Sequence, residues 1–149
     1  MHSFAAAGAG FLLAVLWFDL IFDVQTRKHT SDLLPAEVLT SISTYYRRVT
    51  IDAYPMNRLI ALVMLALLIA IVAEIIEARN PWWLAWGSLA LALFGIVVVR
   101  IRTVPNARRL GRAEDAPDVQ TRLARSVYRD HATGFARMLL VLGLQLAAQ

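Results

Sequence analysis

The stretch LIALVMLALLIAIVAEII, Leu59 to Ile76, runs for 18 residues with one charge, Glu74. At 1.5 Å rise per residue, about 20 such residues cover the roughly 30 Å hydrocarbon core of a bilayer. Three more apolar runs of that order lie at about Phe4–Val24, Trp82–Val99 and His131–Ala148. The chain is 58% hydrophobic with a mean hydropathy of +0.56, well above the balance of a soluble domain. The reading is all-α: a four-transmembrane-helix bundle with an additional amphipathic helix in the first cytoplasmic loop. It forms a single integral membrane domain over residues 1–149, with spans at about 4–24, 59–76, 82–99 and 131–148 and connections at 25–58 and 100–130. The first run lacks a basic leader and carries Asp19 and Asp23 where small residues would mark cleavage, so it reads as a span rather than a signal peptide.

Charge orients the spans. Arg27, Lys28, Arg47 and Arg48 fall in the first long connection, and Arg100, Arg102, Arg108, Arg109, Arg112, Arg122, Arg125 and Arg129 in the second. Arg79 alone marks the opposite side, in the turn EARNPWW. The positive-inside rule makes both connections cytoplasmic and puts both termini outside. The pI near 10.1 then reflects topology and anionic headgroups, at roughly 1 kcal/mol per cation near the surface, rather than nucleic acid. Membrane lipids and a hydrophobic or amphipathic small molecule are the expected partners, with a homo-oligomer as a further option. The absence of cysteine excludes disulfides, thiolate chemistry and Cys-bound metals.

The connections carry structure of their own. LPAEVLTSISTYYRRV places Leu34, Val38, Ile42, Tyr45 and Val49 near one helical face, which lies along the membrane or caps the bundle. Pro55 breaks this element before the second span. RTVPNARRLGRAEDAP reads as a basic loop, with Gly111 and Pro117 as breakers and Pro117 opening a helix that runs into the last span. DVQTR occurs at Asp23–Arg27 and again at Asp118–Arg122, and YPMNRL echoes VPNARRL, but their surroundings do not align as a repeat.

Intramembrane ionisable residues mark candidate function. Counted from the cytoplasmic rim, Asp23 sits at the surface of the first span and Asp19 one turn, about 6 Å, deeper on the same face. Arg58 and Arg100 stand at the rims of the second and third spans; His131 marks the fourth, with Arg137 about 9 Å inside it. Convergence would make a cytoplasm-facing chamber, lidded by Tyr45, Tyr46 and Tyr54, in which Asp19, His131 and Arg137 carry chemistry. Asp23, Tyr45, Tyr54, Asn57, Arg58, Arg100, Asn106 and Arg109 would bind substrate, its apolar body lying among Trp17, Phe18, Phe22 and Phe135. Asp19 or His131 would take a proton while an arginine stabilises the anion. The structural alternative is an Asp19–Arg137 ion pair fixing the first span against the fourth. Bis-histidine haem lacks a second imidazole within the spans, and no phosphate loop or Ser-His-Asp arrangement is present. Nearby arginines oppose a metal between Asp19, Asp23 and His131, so neither cofactor nor metal is expected.

The segment TVPNARRL (Thr103–Leu110) after the third span, followed by Tyr128, His131 and Arg137 at the start of the fourth, resembles the anthrone-oxygenase-like family of small membrane proteins. The similarity touches Pro105, Asn106, Arg109, His131 and Arg137. It departs where one residue usually separates Pro from Asn, and where Trp is commoner than Tyr128. The resemblance implies oxygenation of anthrone-type aromatics to quinones without metal or flavin. The competing class is a non-enzymatic channel, carrier, or lipid-binding or accessory subunit, its helices packed through Ala5, Ala6, Ala7, Gly8 and Gly10.

Overall fold

The computed structural model describes residues 2–78 and 81–147, except the side chains of His2 and Tyr54. Every element among them is helical. α1 (His2–Asp23) continues as a 3₁₀ turn (Val24–Lys28); α2 (Ala36–Arg47) ends in a π turn (Arg48–Asp52); α3 spans Tyr54–Glu77. α4 (Trp82–Val98) passes through a second π turn (Val99–Thr103) into α5 (Val104–Arg112), and α6 covers Pro117–Ala147.

Among the described residues three helical segments are long and apolar enough to cross a membrane: Ser3–Lys28, Pro55–Glu77 and Trp82–Arg112. The fourth apolar run is the second half of α6, whose described part includes the polar His131, Arg137 and Gln145. One apolar core draws on four helices: Ala5, Ala9, Leu12 and Leu13 of α1, Leu67, Ala70 and Ile71 of α3, Ala92 of α4, and Met138 and Val141 of α6. Ala5 and Ala9 are fully buried, and a Cβ on Gly8 would stand 3.4 Å from the Leu67 side chain. Small residues thus bring α1 against α3 within the chain. Leu62, Leu65, Ile69 and Ile76 face outward from α3, an apolar surface that water does not favour.

A second cluster caps the first. Leu34, Val38, Leu39, Ile42 and Tyr46 pack against Ala107 and Leu110 of α5 and Leu123, Ala124 and Val127 of α6. Of the two placements expected for the amphipathic helix, α2 therefore takes the cap. Its buried stripe repeats every four residues, 34, 38, 42 and 46, so Tyr46 rather than Tyr45 points inward. Thr121 Oγ1 accepts the backbone N–H of Leu34 at 3.2 Å and ties the segment before α2 to α6.

The basic loop expected over Arg102–Pro117 does not form as such: residues 99–112 are helical. Pro105 lacks an N–H and its ring crowds the carbonyl four residues back, so a regular α-helix running through it is strained. Widening to a π turn, closed by Val104 N–H to Val99 O, leaves Pro105 in the first turn of α5, where no N–H is needed. The same device recurs at Arg48–Asp52 before Pro55, with Ala53 N–H on Arg48 O at 2.7 Å. That shared context is the structural content of the YPMNRL and VPNARRL echo. The DVQTR copies adopt different structures, one ending α1 in a 3₁₀ turn and the other opening α6.

Candidate functional site

Asp19 and Asp23 are four residues apart and share a face of α1, at the end where it meets the cap. α2 delivers Tyr45 and Tyr46 to that face and α6 delivers His131. Asp23 is fully buried, Tyr46 is 1% exposed and His131 7%. An isolated carboxylate at such a position is costly, but Asp23 is well supplied. The Tyr46 hydroxyl donates to Oδ1 at 2.6 Å, and His131 Nδ1 lies 2.7 Å from Oδ2. The Tyr46 hydroxyl also stands 3.2 Å from His131 Nδ1.

With its Nδ1 proton on Asp23, the imidazole turns Nε2 toward Asp19, whose Oδ2 lies 3.8 Å away. The Asp19 side chain is 15% exposed, so this carboxylate is the member that reaches the surface. Tyr45 donates to its Oδ1 at 2.7 Å, and the Tyr45 ring stacks on Phe22 with centroids 4.0 Å apart. The outer side of that stack forms a groove of about 290 Å³ lined also by Thr40, Ser41, Thr44 and Arg48. Tyr45 thus touches the groove with its ring and Asp19 with its hydroxyl. Burial, then the adjacent carboxylate, pushes both phenols above the usual tyrosine range, Asp23 acting on Tyr46 and Asp19 on Tyr45. Both stay neutral and serve as donors. The arrangement is an imidazole oriented by one carboxylate toward another, with phenols satisfying the remaining lone pairs.

Other residues expected in the chamber go elsewhere. Arg137 does not meet Asp19: its Nη2 donates to Thr133 Oγ1 at 3.3 Å and its guanidinium lies 5.0 Å over the Phe94 ring of α4. Positions 131 and 137 are about 120° apart on a helix, and α6 shows the first to α1 and the second to α4. Arg58 and Arg100 are exposed, at the start of α3 and in the second π turn. Asn57 donates to the Thr50 carbonyl at 3.2 Å and Asn106 to Ser126 Oγ at 3.5 Å. Arg109 is exposed and chelates Asp115 through Nε and Nη2 at 2.8 and 2.7 Å. The side chain of Tyr54 lies outside the described residues.

Asp130 is the ionisable residue that sequence reasoning left without a role. It is 3% exposed, pairs with Arg102 and accepts from Thr103 Oγ1 at 3.1 Å. The polar side chains of the TVPNARRL region therefore fasten the second π turn and α5 to their surroundings. A signal existed: Asp130 is adjacent to His131, and Arg102 lies just past the third apolar run. Among the described residues no three His, Asp or Glu side chains converge as a metal site needs. Comparison with family models, curated proteins and solved structures gives no match for this chain.

Proposed function

We propose that this chain is a four-span integral membrane protein with both termini outside, whose cytoplasmic cap closes over a proton-accepting site built from Asp19, Asp23 and His131. The supporting observation is the 2.7 Å contact between Asp23 Oδ2 and His131 Nδ1, which orients the imidazole with Nε2 toward Asp19. A phenol or doubly activated C–H of a hydrophobic aromatic substrate gives its proton to the Asp19–His131 pair, Asp19 meeting it first because it is the exposed member. Phe22 and Tyr45 supply an aromatic wall, with Trp17, Phe18 and Phe135 nearby in sequence position. The electron-rich anion then reacts with dioxygen; for an anthrone, one O₂ yields the quinone and one water. The anthrone-type substrate and the oxygenase step rest on the family resemblance of Thr103–Leu110, His131 and Arg137, and the proton-accepting role rests on the geometry.

The competing reading as an oligomeric channel or carrier loses part of its basis, since Ala5, Ala9 and Gly8 are occupied in packing α1 within the chain. Purified protein in liposomes separates the two. The enzyme reading predicts oxygen uptake on addition of an anthrone and no proton or ion flux; flux without uptake would reverse the assignment.

A further inference from the structure

A second polar concavity lies on the far side of the 3₁₀ turn. It is a groove of about 560 Å³ between the Val24–Thr30 segment and the first half of α6, lined by Arg27, His29, Arg122, Arg125, Tyr128 and Arg129 among others. The arginines of α6 recur at spacings of three and four, so they form one stripe facing Arg27. Arg125 holds the groove open: its Nη2 donates to the backbone carbonyls of His29, at 3.3 Å, and Ser31. Arg122 is neutralised in part by Asp118 at 2.8 Å. Among the described residues Arg27 and Arg129 make no ion pair. A preformed groove of this composition selects an oxyanion with several acceptor oxygens.

Its position specifies the source. Arg27 follows on Trp17, Phe18, Ile21 and Val24, which form an exposed apolar stripe along α1 and into the 3₁₀ turn, each at least 40% exposed. A basic groove at the end of an exposed apolar stripe matches a phosphate headgroup with acyl chains below it. We infer that this groove is a binding site for the phosphate of an anionic membrane lipid, separate from the Asp19–His131 site. The inference rests on the membrane placement proposed above and is independent of the oxygenase chemistry.

The test is thermal unfolding of the full-length protein in detergent, titrated separately with short-chain phosphatidic acid, short-chain phosphatidylcholine and inorganic phosphate. Phosphatidic acid raises the melting temperature saturably and the other two do not. The double variant Arg27→Gln/Arg129→Gln shifts the half-saturating concentration upward roughly thirtyfold, the effect of losing two headgroup-level cations. The charge-conserving Arg27→Lys/Arg129→Lys pair keeps most of the response, and Arg108→Gln/Arg112→Gln on α5 leaves it unchanged. An equal response to phosphatidylcholine, or equal loss in the α5 pair, overturns a specific site; an equal response to inorganic phosphate overturns the lipid source. Failure here leaves oxygen uptake and the orientation of the chain unaffected, so the two proposals fail separately.

Discussion

Asp23 is held by two donors and has no contact with solvent, so its orientation is fixed, whereas Asp19, one turn away, reaches the surface. Two carboxylates four residues apart on one helix thus differ in setting, one buried against an imidazole and the other reaching the surface. The sequence places Asp23 and His131 at the rim and Asp19 one turn deeper, but not the face that α6 turns to α1. Arg137 was a plausible partner by depth alone, and helical rotation gives the position to His131. The tyrosines add a pH dependence. Their folded-state pKa values lie above the ordinary value near 10, so the protonated phenols are favoured by folding. Their contribution is fully present below about pH 10 and is lost as pH rises beyond it, because the unfolded chain ionises first. Melting followed across the alkaline range is expected to show a fall in stability starting near pH 10, smaller in Tyr46→Phe once its lower baseline is subtracted. An identical alkaline slope in that variant would remove Tyr46 from the account.

At the scale of elements, α2 and α5 approach closely at Gly111. A Cβ on Gly111 would stand 2.8 Å from the Arg47 nitrogen and 2.9 Å from the Tyr46 carbonyl carbon, both backbone atoms with little room to yield. Gly111→Ala is therefore expected to destabilise by about 1–3 kcal/mol, as overpacking does. It would also displace Tyr46 from Asp23. Two residues further on, Ala113 ends α5 in the left-handed region at φ 55°, where glycine avoids the Cβ penalty. Ala113→Gly is expected to stabilise by up to about 1 kcal/mol. Opposite changes in melting temperature for the pair check this; parallel changes would contradict it. Gly111 reads in sequence as a loop breaker, because nothing local distinguishes a glycine that ends a helix from one that lets another backbone approach. The helical nature of Val99–Arg112 was hidden for a related reason: Pro105 signals a break unless the π turn before it is known. Pro117 gave a local signal that needed no partner, and α6 starts there.

For the whole molecule, the apolar runs already outline a helical chain with segments long enough to cross a membrane. The structure adds a division into an apolar layer shared by α1, α3, α4 and α6 and a cap of α2, α5 and the first half of α6. The site lies where the two meet. How the cap docks was not legible, since its contacts join residues far apart in sequence, such as Tyr46 and His131. The proposed orientation is open to a clean test because the chain has no cysteine. Single cysteines at Ser31 or Glu114 should react with an impermeant maleimide only after the membrane is opened, and one at Ser3 should react in intact cells; the reverse pattern would invert the topology.

Whether the Asp19–Asp23–His131 cluster is a working site or only a structural one is decided most directly at Asp19, the edge of the cluster, where loss of charge leaves the buried Asp23–His131–Tyr46 contacts in place. Oxygen uptake with an anthrone, measured beside the melting temperature of the same preparation, is expected to fall by about a hundredfold or more in Asp19→Asn, the scale of a lost proton acceptor, while the fold is retained. A folded Asp19→Asn protein that consumes oxygen at the wild-type rate would contradict the account.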